Sequence, residues 1–129
     1  MNRTSVIFKN PYEIELLQEA LPSPRRGEVL IKTHLSAISP GTEMLVYRGQ
    51  FPPKLPVDKN ITTFAHEFRY PLKYGYTTIG RVVETGPTVS NGWLDRMVFC
   101  FHPHESHFVA QQDQLIPVPV DIDPADALF

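Results

Sequence analysis

Proline limits what this chain can fold into. It has 13 prolines in 129 residues, against about 5% in average usage. Each one removes a backbone donor and restricts φ, so it ends helices and confines itself to turns and strand edges. A chain interrupted this often is expected to be all-β or mostly β, with short strands and tight connections.

The hydrophobic pattern supplies those strands. Residues 5–9 (SVIFK) form a short apolar run closed by the Asn10-Pro11 turn signal. Tyr12, Ile14 and Leu16 then alternate with Glu13, Glu15 and Leu17, which reads as a half-buried strand completing a hairpin. After a proline-rich loop, residues 28–39 alternate cleanly, with Val29, Ile31, Leu35 and Ala37 on one face and Lys32, His34 and Ser36 on the other. This strand breaks at Pro40-Gly41, just past Ser39. Thr42 is expected to cap a short helix there, with Glu43 in its first turn and its end near Gly49.

Residues 50–70 carry three prolines and no sustained period, and read as an excursion over the surface. Residues 76–86 (YTTIGRVVETG) are β-rich, with Gly80 marking a bend or a close backbone approach. MVFCF, HFVAQQ and LIPVPV add three short strands. Asp123 then reads as a helix cap with Pro124 at the first helical position. One domain over residues 1–129 is expected. A chain that starts a helix at 124–129 and stops there reads as truncated, either cut at a domain edge or a subdomain lacking its continuation.

Charge and cysteine narrow the function classes. A net charge of −2 with no Lys/Arg cluster (Arg25-Arg26 is too short) argues against nucleic acid or an anionic membrane as partner. The single cysteine, Cys100, excludes an internal disulfide and a four-cysteine zinc lobe. No segment has signal-peptide or bilayer-spanning character, so a cytoplasmic protein is the default expectation.

Taken in order, RRGEVLIKTHLSAIS, GYTTIGRVVETG and HFVAQQDQLIPVPVDIDPADAL resemble the N-terminal, GroES-like substrate domain of medium-chain dehydrogenases/reductases. These are the relatives of alcohol dehydrogenase and quinone oxidoreductase. The resemblance covers nearly the whole chain. The motifs Ser39-Pro40-Gly41-Thr42-Glu43 and Gly75-Tyr76 are similar to the bacteriochlorophyllide dehydrogenase-like branch. The implied fold is a mainly β, partly open GroES-like barrel with one or two short helices.

In zinc-dependent members, a cysteine at the position of Ser39 and a Gly-His-Glu motif at Gly75-Tyr76-Thr77 hold the catalytic metal. Neutral hydroxyls are poor zinc ligands, so the resemblance implies a zinc-independent site. There Ser39, Thr42, Tyr76 and Thr77 would bind or protonate the substrate oxygen, with Tyr76 the preferred donor because phenol is the most acidic of the four. Glu43 falls near an acidic position that in the family supports the site from behind. Without the resemblance, Ser39–Thr42 reads as a turn and cap, and Tyr76 as an ordinary strand aromatic.

The family binds NAD(P) in a second, Rossmann-type domain. The glycines at 75, 80, 86 and 92 are too far apart for a G-x-G-x-x-G fingerprint. This chain would therefore shape the substrate half of a cleft for a carbonyl or alcohol, an enal or a quinone, and be inactive alone. A homo-oligomer is expected for a longer protein. A stand-alone GroES-like binding module is the alternative; a co-chaperonin ring subunit fits poorly, because residues 50–70 are too aromatic for a polar mobile loop.

Two further clusters attract attention. His102, His104 and His107 lie in one short loop, where a zinc or copper site or substrate contact at the cleft mouth is possible but a solvated or folded-back loop fits better. His66-Glu67 superficially resembles Gly-His-Glu, but lacks the glycine and comes too early.

Overall fold

The computed structural model describes residues 2–50 and 70–127. Most of the 50–70 excursion, including His66 and Glu67, lies outside the described residues. Among the described residues, seven strands and two short helices follow the order β1 (Asn2–Asn10), β2 (Glu13–Ala20), β3 (Glu28–Ala37), α1 (Thr42–Arg48), β4 (Thr77–Thr85), β5 (Met97–Phe101), β6 (His107–Gln111), β7 (Ile116–Pro117) and α2 (Pro124–Ala127). This is the expected mainly β, partly open architecture with short helices.

Five strands form an antiparallel sheet in the order β6-β3-β4-β5-β7, and β1 pairs with β2 in a separate hairpin. The segment at 104–106 stitches the two together. Val6 N donates to His104 O at 3.0 Å, Ser106 N to Thr4 O at 2.8 Å, and Thr33 N to Ser106 O at 2.8 Å. The other end of β1 is tied by a reciprocal pair between Phe8 and Leu72, at 2.8 and 2.9 Å.

The main core lies under the sheet, where Val29, Ile31, Val82, Val98 and Phe108 are fully buried and Cys100, Ala110 and Leu115 nearly so. Each buried side chain of this size contributes about 1.5–3 kcal/mol. Burial pushes the Cys100 thiol up to about 11, which leaves it a packing residue. A second cluster of Phe8, Val46 and Tyr74, flanked by Tyr47, Tyr70, Leu72 and Tyr76, joins α1 to the hairpin.

Gly80 has the close approach expected of it. A Cβ there would stand 2.5 Å from Ile31 Cγ2 and 2.6 Å from Lys32 O. Gly80→Ala is therefore expected to cost about 2–3 kcal/mol by overpacking. A lowered urea midpoint at unchanged m-value would register this, and an unmoved midpoint would refute the tight crossing.

Two local expectations are corrected. Thr42 is the first residue of α1 rather than its cap: Gly41 holds the N-cap position and no side chain caps it. A glycine directly before the helix can take that position without a side chain, and an acidic side chain from within the helix meets an amide before it. The strand at Glu13–Ala20 is not half-buried. Tyr12 is 63% and Leu16 66% exposed, because among the described residues β2 has no ladder neighbour besides β1. Alternation reports a period, and cannot report whether anything covers the apolar side.

At the other end of α1, Gly49 adopts the left-handed conformation (φ 68°) and closes the helix where expected. Asp123 accepts from Ala125 N at 2.9 Å, as a cap should. Among the described residues, no helix is long and apolar enough to cross a membrane.

Candidate functional site

Strand β3 delivers Ser39 to the mouth of the fold, and α1 turns back immediately. That reversal brings Glu43 within reach of the backbone it has just left. The Ser39 amide donates to Glu43 Oε2, which ties the first turn of α1 back to the chain that leads into it. Glu43 is only 2% exposed. Its other oxygen meets His104 Nε2, and His104 Nδ1 lies 2.8 Å from Ser36 Oγ. A neutral imidazole in this position donates to the carboxylate and accepts from the serine.

The imidazole fits because residue 75 is glycine: a Cβ there would lie 2.9 Å from His104 Nε2 and 3.2 Å from Pro103 Cα. One residue on, Tyr76 is half-buried. Its hydroxyl lies 2.6 Å from that of Tyr74, and the two rings meet edge to face at 5.4 Å. Burial pushes the Tyr74 phenol above its usual range, and the bond to Tyr76 and the nearby charge of Glu43 add to that. Tyr74 therefore keeps its proton at any physiological pH.

Ser36, Glu43 and His104 line the polar side of an open cleft of about 370 Å³, with Phe8, Ile38 and Met44 among its apolar walls. It can take a ligand with an apolar body and a polar end.

Of the residues singled out from sequence, Ser39 and Glu43 are thus brought together, and Tyr76 is joined to Tyr74. Thr42 and Thr77 make no side-chain hydrogen bond among the described residues; Thr77 is held in the sheet between Ala37 and Phe101. The hydroxyls at 39, 76 and 77 do not form a donor set suited to zinc.

The three loop histidines diverge. His102 bonds Glu105 at 2.7 Å and stacks on Phe108 at 4.0 Å. His104 goes to Glu43, and His107 Nδ1 lies 3.0 Å from Ser106 Oγ. Among the described residues no group of three or more His, Cys, Asp or Glu gathers as a metal site would require. From sequence, His104 stood only within a cluster read as solvated or folded back, as metal ligands or as substrate contacts at the cleft mouth, and Tyr74 and Ser36 were not singled out as site residues. Glu43 and His104 are 61 residues apart, so no local spacing could pair them.

Behind His104 lies a buried charge network. Glu105 accepts from Lys73 at 2.9 Å and lies 2.7 Å from Ser5 Oγ, and Arg3 forms an ion pair with it at 3.2 Å. Burial alone would raise its pKa, but hydrogen bonds from His102, Lys73 and Ser5 outweigh that and hold it down to about 2. Glu19 shares Lys73 at 2.6 Å, and that bond, with one from Ser5, lowers its pKa as well. The network pins residues 102–106, and with them His104, against β1.

No family model matches the chain. It is 31% identical, over all 129 residues, to the 2-desacetyl-2-hydroxyethyl bacteriochlorophyllide A dehydrogenase of Cereibacter sphaeroides, of which it spans 33%. The chain thus covers about a third of that relative's length. In fold it matches a quinone oxidoreductase from Coxiella burnetii with a TM-score of 0.69 at 21% identity, over 95% of this chain and 39% of that one. A short chain alcohol dehydrogenase from E. coli CFT073, solved in complex with NADH, superposes with a TM-score of 0.72 at 16% identity, over 95% and 40%.

Proposed function

We propose that this chain is the N-terminal, GroES-like domain of a medium-chain dehydrogenase/reductase and forms the substrate half of a zinc-independent, NAD(P)-dependent oxidoreductase. The observation that carries this reading is the 31% identity running through the entire chain to a dehydrogenase. Hydride would come from, or go to, a nicotinamide held by a second domain. Everything else falls to residues of this chain.

The substrate would be a carbonyl or alcohol, an enal or a quinone, with its apolar body against Phe8, Ile38 and Met44. Tyr76 donates to the substrate oxygen, with Tyr74 behind it as hydrogen-bond partner. Glu43 and His104 hold the polar end of the cleft in a fixed orientation, and Ser39 ties Glu43 to the strand. No zinc is required in this scheme, because Ser39, Tyr76 and Thr77 replace ligands with neutral hydroxyls. The protein works in the cytoplasm on a small molecule, as an oligomer in its longer form, and this chain by itself is inactive.

The test joins this chain to its nucleotide-binding domain and measures turnover of quinones, enals and aldehydes with NADPH or NADH. Turnover that persists after exhaustive chelation supports the reading. Substrate binding without any nicotinamide-dependent turnover would make the chain a binding module instead.

A further inference from the structure

The sheet register places side chains together that are far apart in sequence. His107 on β6 pairs with Lys32 on β3, Lys32 with Arg81 on β4, and Arg81 with Met97 on β5. Directly opposed residues share one face, with Cβ atoms about 4.5–5.5 Å apart. Lys32 and Arg81 are both exposed, so two permanent cations stand side by side on the outer face, and His34 joins them two residues along β3. The positive cluster that the linear sequence lacks is assembled by strand pairing.

Like charges directly opposed across a sheet are destabilising. No carboxylate among the described residues lies within ion-pair distance of Lys32 or Arg81 to relieve this. Asp95, which lines an adjoining groove with Arg96, meets Arg81 through its backbone carbonyl, at 2.7 Å. That bond uses one guanidinium nitrogen and orients the rest of the fork. The cations border a concave space of about 360 Å³ whose remaining walls include Val83 and Met97.

We propose that this face carries a binding site for a phosphate monoester, seated between Lys32 and Arg81. The Arg81 fork offers parallel donors to two phosphate oxygens and Lys32 a point charge to a third. Val83 and Met97 provide an apolar surface for the organic group. A chain of net charge −2 with so local a cluster suits a small dianion and not a polyanion, whose binding needs an extended basic track. His34 and His107 flank the site and serve as reporters. The neighbouring charge is already felt there, since burial first and Lys32 second hold the His107 pKa below its usual range. This inference is independent of the oxidoreductase reading.

The 129-residue chain would be titrated at fixed pH with inorganic phosphate and with phenyl phosphate, following the His34 and His107 ring-proton resonances. Saturable shifts are expected, with half-saturation near ~1 mM for phosphate and several-fold lower for phenyl phosphate; phenol alone should give none. K32Q and R81Q should each weaken binding about fivefold while the near-UV circular dichroism stays unchanged. Linear shifts, or saturation that both variants leave untouched, would overturn the site. Equal affinity for the two phosphates would overturn its assignment to a monoester.

Discussion

Replacing Glu105 by glutamine is expected to destabilise the fold by about 3 kcal/mol at neutral pH. Its carboxylate is hydrogen-bonded to Lys73, Ser5 and His102 and ion-paired with Arg3. Removing one partner of a buried charge cluster costs about 3–5 kcal/mol, because the remaining charges lose their compensation. The lower figure applies here: Glu19 still holds Lys73 at 2.6 Å, and Lys73 and Arg3 are 27% and 17% exposed. The network also joins β1 to the loop carrying His104, so the variant should loosen the cleft as well as the fold.

The same substitution should change the acid limb of the stability curve. Glu105 titrates at about 2 when folded against an ordinary 4.5. Between those values the unfolded chain binds the proton and the folded chain does not. Its contribution is therefore complete above 4.5 and disappears as pH falls toward 2. Urea unfolding across that window should give a visibly shallower slope for E105Q, with Glu19 supplying part of what remains. Parallel wild-type and variant curves would show that Glu105 is not held as the structure places it.

On the proposed oxidoreductase reading, Tyr76→Phe should be the most damaging conservative change to activity once this chain is joined to a nucleotide-binding domain. Phenylalanine keeps the ring that packs beside Phe8, Val46 and Tyr74 and removes only the hydroxyl. Loss of a positioned proton donor lowers kcat by about 10²-fold or more, while KM should move only a few-fold, since the cleft walls are unchanged. A role limited to packing would leave kcat intact, and that result would remove Tyr76 from the chemistry. Tyr74→Phe should have the smaller effect, because Tyr74 acts through Tyr76 across the 2.6 Å contact.

The readable parts of this protein were the local ones. The hairpin, the long β3 strand, the break after Ser39, the helix stop at Gly49 and the cap at Asp123 all follow from residues within a few positions of each other. Gly80 was legible because a glycine inside a β-branched run has few other uses. The site was half legible. Ser39, Glu43 and Tyr76 stood out through the resemblance, yet what each one bonds to was not visible. Placing the cap at Thr42 failed by one position, because Gly41 takes the N-cap position without needing a side chain. The half-buried reading of β2 failed because nothing in its alternation shows whether a neighbour covers it.

By itself, then, the sequence determined the mainly β architecture and carried the resemblance. Proline spacing and period-two alternation act through each residue's own backbone preferences, and the order of motifs survives in any linear reading. Only the tertiary structure decided that Glu43 faces His104, that Glu105 gathers four partners, and that Lys32 stands opposite Arg81. Hydrogen bonds and ion pairs act over about 3–4 Å, and which groups come that near depends on strand register. Slipping one strand by a single residue would send every side chain on it to the opposite face.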